Sequence, residues 1–428
     1  MYPVRMLELD GSQEFDASLG DECFSRLPSR PGVILIEMKD GAGQPYLSRT
    51  ADIRRVAERL LRAPETLSKR LNLRKVAGRI RFRATGSKFE QTLSFYEQSK
   101  NRLPNRYRDL LRLRGPALLK VNLRNAYPRC YVTRRVSADG GFYFGPFASR
   151  RSAETFAEGF LDLFKIRRCQ IKIRRDPDYP GCIYSEMKMC LAPCFAGCTK
   201  EEYHAEVGRV VESLATCGAA LTESLERERE SASETLDFEC AAAIHKRIEK
   251  ASDALRGLPE IARGIEDLHA AILTRGVEEK TVIVFPVRAG LIAEPVFLRF
   301  AELSSEPRSV EAILRKALEP PVVTNKEMPA RFVNGGSAEA LSASEDGERI
   351  AACQPVTSQT EMLTTSARYG LRSAPPELSE HLALLARWFY SNPREGEIFF
   401  REASWQYRRI LRACRRLLAS PKRPQPTA

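Results

Sequence analysis

The chain has 428 residues, of which 43% are hydrophobic and 29% charged, with a formal net charge of +13. This length suggests two to four domains, and a membrane-spanning protein is excluded because no apolar run approaches the roughly 20 residues that cross a bilayer. The charge is uneven, since residues 1–200 carry 38 Lys and Arg against 21 Asp and Glu, whereas residues 201–428 carry 30 against 34.

The first 112 residues predict a loose acidic leader at 1–25, followed by a small α/β unit at 26–112. PGVILIEM indicates a buried strand opened by Pro-Gly, DGAGQ a turn, and PYLSR the second strand of a hairpin. ADIRRVAERLLRA has apolar residues at helical spacing, with arginines on the other face. KVAGRIRFRAT alternates apolar and basic residues as a half-buried strand does, and TLSFYEQSKNRL favours a second helix.

Residues 113–200 predict strands at ALLKVN and RCYVTRRV, a Gly/aromatic turn at GGFYFGPF and the amphipathic helix RRSAETFAEGFLDLFKI, then a segment rich in cysteine. Helix formers dominate 201–262, where Asp237 is a suitable N-cap for the second of two antiparallel helices. We therefore expect a helical hairpin there.

The C-terminal region, residues 263–428, is predicted as α/β without a fold assignment. KTVIVFPVRAGLIAEPVFLRF favours a β-hairpin around Arg-Ala-Gly. Residues 335–370 have no pattern, residues 379–418 favour helix, and PKRPQPTA favours a disordered tail. The expected architecture is therefore a multi-domain α/β protein.

Four cysteines, Cys169, Cys182, Cys190 and Cys194, have the spacing C-x12-C-x7-C-x3-C. Such a thiol set suits an iron–sulfur cluster or a structural metal. Zinc is the alternative, although zinc sites usually show paired C-x2-4-C knuckles and only the last two cysteines form a close pair. Disulfides are disfavoured because the chain has an odd number of cysteines and opens without an apolar signal segment, which favours a reducing cytoplasm. Unliganded thiols are the remaining interpretation.

A basic belt lies between residues 51 and 135, which hold 23 basic and 6 acidic residues. A local excess of this kind predicts a phosphate-binding surface for DNA, and a merely soluble basic face is the alternative. The predicted DNA contacts are Arg54, Arg55, Arg79, Arg81 and Arg83.

From about Pro31 to Leu258 the chain resembles UvrC, the nuclease subunit of the bacterial excinuclease. PGVI followed by PYLSR is similar to the two signatures of the GIY-YIG nuclease fold, and VTRRVSADGGFYFGPF resembles a strand and turn of the family. The cysteine segment matches that of the family, including its A-P-C ending. LDFECAAAIHKRI resembles the UVR motif, a helical hairpin. The resemblance implies DNA repair, an iron–sulfur cluster on the four cysteines, and UvrB as a partner.

The resemblance also implies catalytic positions, and several of them differ here. Tyr46 matches the tyrosine of the second signature, Glu97 matches the carboxylate that would hold Mg²⁺ or Mn²⁺, and Arg49 stands where the family has lysine. The family has tyrosine, glycine, arginine and asparagine at the positions of Ile34, Ser48, Val56 and Arg108. Losing one electrostatic stabiliser typically lowers a rate by roughly two to three orders of magnitude.

We therefore expect a non-catalytic or weakly active paralogue. An active GIY-YIG endonuclease making a single incision, using Arg54 or Arg55 in altered register, is the alternative. A generic nucleic-acid binder outside repair is a second alternative. Residues 260–428 show neither an RNase H-type acidic motif nor a tandem helix-hairpin-helix pattern.

The expected partner-binding face belongs to the helical hairpin. Its apolar positions recur at helical spacing and match those of the UVR motif. These positions are Phe238, Ala241, Ala242 and Ile248. His245-Lys246 replaces the Arg-Asp that is usual in the family, which removes one carboxylate from the rim. The alternative interpretation is that this face only closes the hairpin on itself.

Overall fold

The computed structural model describes residues 7–18, 22–41, 43–63, 71–301, 307–319, 365 and 368–419. Its strands form three sheets. The first sheet is antiparallel, in the order β1-β4-β2-β3. Its strands are β1 (Gly11–Glu14), β2 (Gly32–Met38), β3 (Tyr46–Thr50) and β4 (Ala77–Ala84). The helices around it are α1 (Glu22–Ser25), α2 (Ile53–Leu61), α3 (Lys88–Arg102) and α4 (Tyr107–Leu111).

Helices cover both faces of the first sheet, which explains why β2 has a continuous apolar run. Ile34 and Ile36 pack with α2 on one face, whereas Val33 and Leu35 belong to the core shared with α3 on the other. Asp52 and Ser87 cap α2 and α3 through bonds to backbone N–H groups. The predicted hairpin, helix, strand and helix are all present.

The N-terminal segment differs from the predicted loose leader in the part that the structure describes. Strand β1 pairs with β4, and Leu7, Leu9 and Phe15 are buried. The acidic segment attaches here because β4 presents arginines: Asp10 lies 3.5 Å from Arg83. Opposite charge and an open sheet edge together order this segment.

The second sheet is antiparallel, in the order β6-β5-β7-β8. Its strands are β5 (Ala117–Val121), β6 (Cys130–Thr133), β7 (Phe142–Phe147) and β8 (Arg263–Gly264). GGFYFGPF contains strand β7 rather than the predicted turn. All six residues of β7 are buried because the strand is central, and its aromatic rings fill the core beside α5. The pairing of β8 with β7 carries this unit across the boundary predicted at residue 262.

Five helices and a 3-10 turn (Pro193–Phe195) lie between strands β7 and β8 of the second sheet in chain order. The helices are α5 (Arg150–Leu161), α6 (Ile183–Glu186), α7 (Lys200–Ala215), α8 (Ala219–Glu234) and, after them, α9 (Phe238–Arg256). Helices α8 and α9 form the predicted antiparallel hairpin, and Asp237 caps α9 by accepting from the Cys240 N–H at 3.0 Å.

The third sheet builds the C-terminal region. Strands β9 (Ala270–Arg275) and β10 (Thr281–Arg288) are central, β13 (Glu397–Phe400) flanks β9, and β11 (Leu291–Ile292) and β12 (Val296–Arg299) both pair with β10. The predicted Arg-Ala-Gly turn is present, with positive φ at Ala289 and Gly290 as a tight hairpin turn requires.

The described part of this region also contains helices α10 (Pro307–Leu318), α11 (Leu378–Phe389) and α12 (Tyr407–Ala419). Residues 379–418, predicted to be helical, are interrupted by β13. Helices α10 and α12 pack on one face of the third sheet. Helix α11 packs on the other face, in a core shared with α3. The unpatterned stretch 335–370 and the C-terminal tail lie almost wholly outside the described residues. Within the described ranges, no helix is both long and apolar enough to cross a membrane.

Candidate functional site

The cysteine segment is an irregular connection between α5 and α7. Cys169, Cys182 and Cys190 are half-buried and Cys194 is buried. Backbone bonds hold the segment in place: Leu191 N–H donates to Lys165 O at 3.0 Å, and Asp176 N–H donates to Cys194 O at 2.8 Å. The connection is therefore tied to its own flanks, although little of it is regular secondary structure.

Arg167 and Tyr203 anchor the start of this segment to the second sheet. Arg167 Nε donates to Tyr127 O at 2.8 Å, and its Nη1 lies 3.9 Å from the Cys169 sulfur. The Tyr203 hydroxyl donates to Pro128 O at 2.8 Å and accepts from the Arg167 N–H at 3.0 Å. These hydrogen bonds fix the backbone two residues before Cys169.

The four thiols share one electrostatic neighbourhood. Burial raises the pKa of Cys190 to about 11, and the negative charges of the Cys169, Cys182 and Cys194 thiolates raise it as well. The Ala192 N–H donates to the Cys190 sulfur at 3.3 Å. A bound metal ion would deprotonate the Cys190 thiol despite its raised pKa, since a metal deprotonates its thiol ligands outright.

The four cysteine sulfurs are therefore chemically suitable ligands for a soft metal ion or an iron–sulfur cluster. In the described residues no group of three or more His, Cys, Asp or Glu side chains is arranged tightly enough to hold a metal ion as it stands. Cys198 is buried nearby, where burial raises its pKa to about 11. The cofactor stays a prediction.

The face of the first sheet that carries Tyr46 is apolar. Ile34 is fully buried on β2 and pairs with Ser48 on β3, and Tyr46 packs half-buried on the same core as α2. Val56 is also half-buried there. The Ile34 side chain itself offers no acid or base where the resemblance implies a tyrosine.

The two arginines of α2 have different surroundings. Arg54 donates to Leu27 O at 2.8 Å and to Ser25 O at 3.1 Å, which fastens α1 to α2. Arg55 is exposed to solvent. Arg54 thus acts on the protein's own backbone, whereas Arg55 stays available to a ligand.

Arg49 and Glu97 lie on the opposite face of the first sheet from Tyr46. Arg49 donates to Thr92 Oγ1 at 3.2 Å and lies over the Phe95 ring of α3. Positions 46 and 49 differ by an odd number, and alternate strand residues point to opposite faces. The structure therefore does not bring the three predicted catalytic residues into one cleft.

Glu97 itself is part of the packing beneath β1. It accepts a hydrogen bond from Leu7 N–H at 2.8 Å. Burial raises its pKa to about 7, although the Leu7 N–H bond and the charges of Arg83 and Lys100 act in the opposite direction. Arg108, where the family has asparagine, donates to Glu380 on α11 at 2.9 Å.

The arginines of β4 share one face, as predicted, and each of them contacts the N-terminal segment. Arg79 donates to Glu14 at 2.7 Å, and Arg81 lies 3.5 Å from Leu9 O. Arg83 donates to Glu8 O at 2.9 Å and pairs with Glu90 at 3.4 Å. Arg79 and Arg83 thus have carboxylate partners within the fold, whereas Arg81 contacts a backbone oxygen. Their role as DNA contacts stays a prediction.

The tip of the α8–α9 hairpin is apolar and exposed. Phe238 is 67% exposed and Leu236, in the turn, is 71% exposed. Ala242 is exposed and Ala241 is half-buried, whereas Ile248 packs against the core of the second sheet. The predicted partner face is thus divided: its tip is free and its base closes the hairpin. Leu236 was not among the predicted residues, and the signal was an apolar side chain in a turn.

The amino-acid sequence was compared with protein families and with known proteins. Residues 117–213, from β5 into α7, match the family model described as "UvrC/Cho excinuclease, middle domain". This range contains all four cysteines. No solved structure matches the chain.

Several curated relatives bear the name UvrABC system protein C. That of Dehalococcoides mccartyi is 28% identical over 268 residues, or 62% of this chain and 43% of the relative. Those of Carboxydothermus hydrogenoformans and Moorella thermoacetica are 28% and 26% identical over 66% and 69% of this chain, and 46% and 48% of their own lengths. The chain thus spans less than half the length of these relatives. It is a UvrC-like protein.

Proposed function

We propose that this UvrC-like chain is a DNA-binding component of nucleotide excision repair that docks a UvrB-like partner without cutting DNA itself. The observation that carries the proposal is the free apolar tip at Leu236 and Phe238, on the hairpin whose sequence resembles the UVR motif. Large apolar side chains exposed together at the end of a projecting element are typical of interaction sites.

The altered nuclease face supports the non-catalytic part of the proposal. Ile34 offers neither a hydrogen bond nor a proton path, and Glu97 is engaged with the backbone of Leu7 on the other face of the sheet. A metal-dependent hydrolysis needs its metal ligand, general base and charge stabiliser around one phosphate. The first sheet then serves as a scaffold.

The four cysteines supply the structural part of the proposal. Cys169, Cys182, Cys190 and Cys194 would hold an iron–sulfur cluster, with zinc as the alternative, and thiolates suit both. The cluster would fix the irregular connection between α5 and α7. The chain's own residues already orient the sulfurs through the Ala192 N–H and the Arg167 guanidinium.

Binding to purified UvrB from the same cell tests the docking. Phe238→Ala should weaken that binding about tenfold or more, because a central aromatic commonly carries roughly 2 kcal/mol or more of an interface. Fold and cofactor content should be unchanged, since the Phe238 side chain is mostly exposed. Val76→Ala, another exposed apolar truncation, is the matched control and should bind like the wild type.

Two outcomes favour the rival functions. If the wild type has no measurable affinity for UvrB but binds DNA, a generic nucleic-acid binder becomes the better account. If it nicks supercoiled plasmid with Mg²⁺ or Mn²⁺ and Glu97→Ala abolishes the nicking, the chain is an active endonuclease. We expect neither the wild type nor Glu97→Ala to nick the plasmid above background.

A further inference from the structure

A groove with a volume of about 260 Å³ lies where three parts of the molecule meet. Arg112 and Arg114 come from the connection after α4, Arg134 follows β6, and Arg387 belongs to α11. Small residues such as Gly115, Ala148 and Ala386 line it, so space remains between the guanidinium groups. The groove exists only when the three units are assembled.

The positive charge in this groove is not neutralised by the protein. No acidic side chain lines the groove, and none of its four arginines forms an ion pair with a carboxylate in the described part of the chain. Arg387 donates to the backbone oxygens of Leu111 and Arg112 at 2.8 and 2.9 Å, and Arg134 lies 3.5 Å from Gly115 O. These contacts orient the side chains and leave the charge in place.

Another arginine, Arg49, lies near Arg387 and adds to the positive charge there. Burial, and then the positive charge of Arg387, lower the pKa of the nearby Arg49. Arg49 has a hydroxyl and an aromatic ring as partners rather than a carboxylate. Arg112 and Arg114 are exposed at the rim. Arginines from separate elements thus line one groove that has no carboxylate among its lining residues.

We infer that this groove binds a backbone phosphate of a nucleic acid, with Arg112, Arg114 and Arg134 as its contacts and Arg387 as its base. Guanidinium groups match the geometry of phosphate oxygens and form strong charge-assisted hydrogen bonds with them.

The size of the groove favours a backbone phosphate over a free nucleotide. Its volume is below the roughly 300 Å³ at which small-molecule sites begin. Its aromatic residues offer little surface for stacking on a base, since Phe147 is buried and Tyr390 is half-buried. The contact therefore positions nucleic acid without reading its sequence.

This inference deepens the proposed DNA binding and rests on it. The test measures the affinity of the full chain for a short duplex DNA at several salt concentrations. Arg112→Ala/Arg114→Ala should lower the affinity about tenfold at low salt. It should also reduce the slope of log affinity against log salt by about one, since one phosphate contact is lost. Replacing the same two residues with lysine should restore most of the slope.

Arg408→Ala/Arg415→Ala is the matched control. It removes two exposed arginines from α12, which packs on the other face of the third sheet from α11. If the control loses as much DNA affinity as the groove variant, or if the salt slope of the groove variant is unchanged, the groove is not a phosphate site. The proposed DNA binding would still stand. Absence of DNA binding by the wild type would overturn the proposed function and the groove together.

Discussion

The raised pKa of Glu97 makes the stability of the protein depend on pH. Its folded pKa is about 7, against an ordinary value of 4.5, so the folded state holds the proton more tightly than the unfolded state. The stability of the wild type should therefore fall as pH rises from about 4.5 to 7, because ionisation of Glu97 opposes folding across that window.

Glu97→Gln should remove this pH dependence and keep the hydrogen bond from Leu7 N–H, because an amide oxygen also accepts. The variant should match the wild type near pH 4.5 and exceed it by about 2 kcal/mol in unfolding free energy above pH 7, allowing for partial exposure. Urea unfolding at the two pH values measures this. Glu239→Gln, at an exposed position on α9, is the control, and it should leave the unfolding free energy unchanged at both pH values. Stabilisation of the wild type by Mn²⁺, but not of the variant, would instead support the metal role.

The cysteine segment is the element whose role is most directly testable. Protein purified without oxygen should be brown and contain iron. Cys169→Ser should lose iron and lower the thermal unfolding midpoint, because a closed thiolate site loses one ligand. Cys198→Ser removes a neighbouring buried thiol that is not one of the four, and it should keep its iron. Colourless wild type with stoichiometric zinc would replace the cluster with zinc, and protein with neither metal would refute the centre.

The helical hairpin shows how one element divides its apolar residues between two tasks. Ile244 and Ala251 are buried, whereas Phe238 and Leu236 are left at the tip. Helical spacing identified the stripe, but spacing alone cannot tell which part of it meets its own molecule and which part meets solvent.

One buried carboxylate bridges the first and third units beside their shared hydrophobic core. Glu380 on α11 accepts from Tyr96 Oη at 2.6 Å, Tyr107 Oη at 2.5 Å and Arg108 Nε at 2.9 Å. Burial acts to raise its pKa, but these hydrogen bonds and the charge of Lys100 outweigh burial, and the pKa is lowered. The residue is therefore ionised and ties α3 and α4 to α11.

Glu380→Ala should destabilise the protein by about 3 kcal/mol or more, because it leaves buried donors and a cation without their acceptor. Glu377→Ala removes a more exposed partner of Lys100 and should change stability by less than about 1 kcal/mol. Thermal unfolding of both variants checks the difference. Similar midpoints for the two would show that the network does not hold the units together.

Much of the local structure followed from the sequence. Apolar spacing and turn residues predicted the first hairpin, helices α2, α5 and α9, and the Arg-Ala-Gly turn, since period and backbone preference are local properties. The four cysteines and the UVR-like stretch were also visible, because their spacing is itself the signal. GGFYFGPF was missed as a strand because all residues of β7 are buried, and a strand buried on both faces has no alternation to detect. Strand β13 was missed as well, and its four residues are too few to show a pattern.

Tertiary structure alone decided which side chains are free to act. It placed Tyr46 on one face of a sheet and Arg49 and Glu97 on the other, and it brought Arg79 and Arg83 into contact with an acidic segment from much earlier in the chain. It also brought Arg112, Arg114, Arg134 and Arg387 from three units to one groove. Composition determined that the chain is basic, but pairing of charges across long sequence separations determined where that charge remains unneutralised. The physical reason is that burial and ion pairing depend on distance in space, which local sequence pattern does not contain.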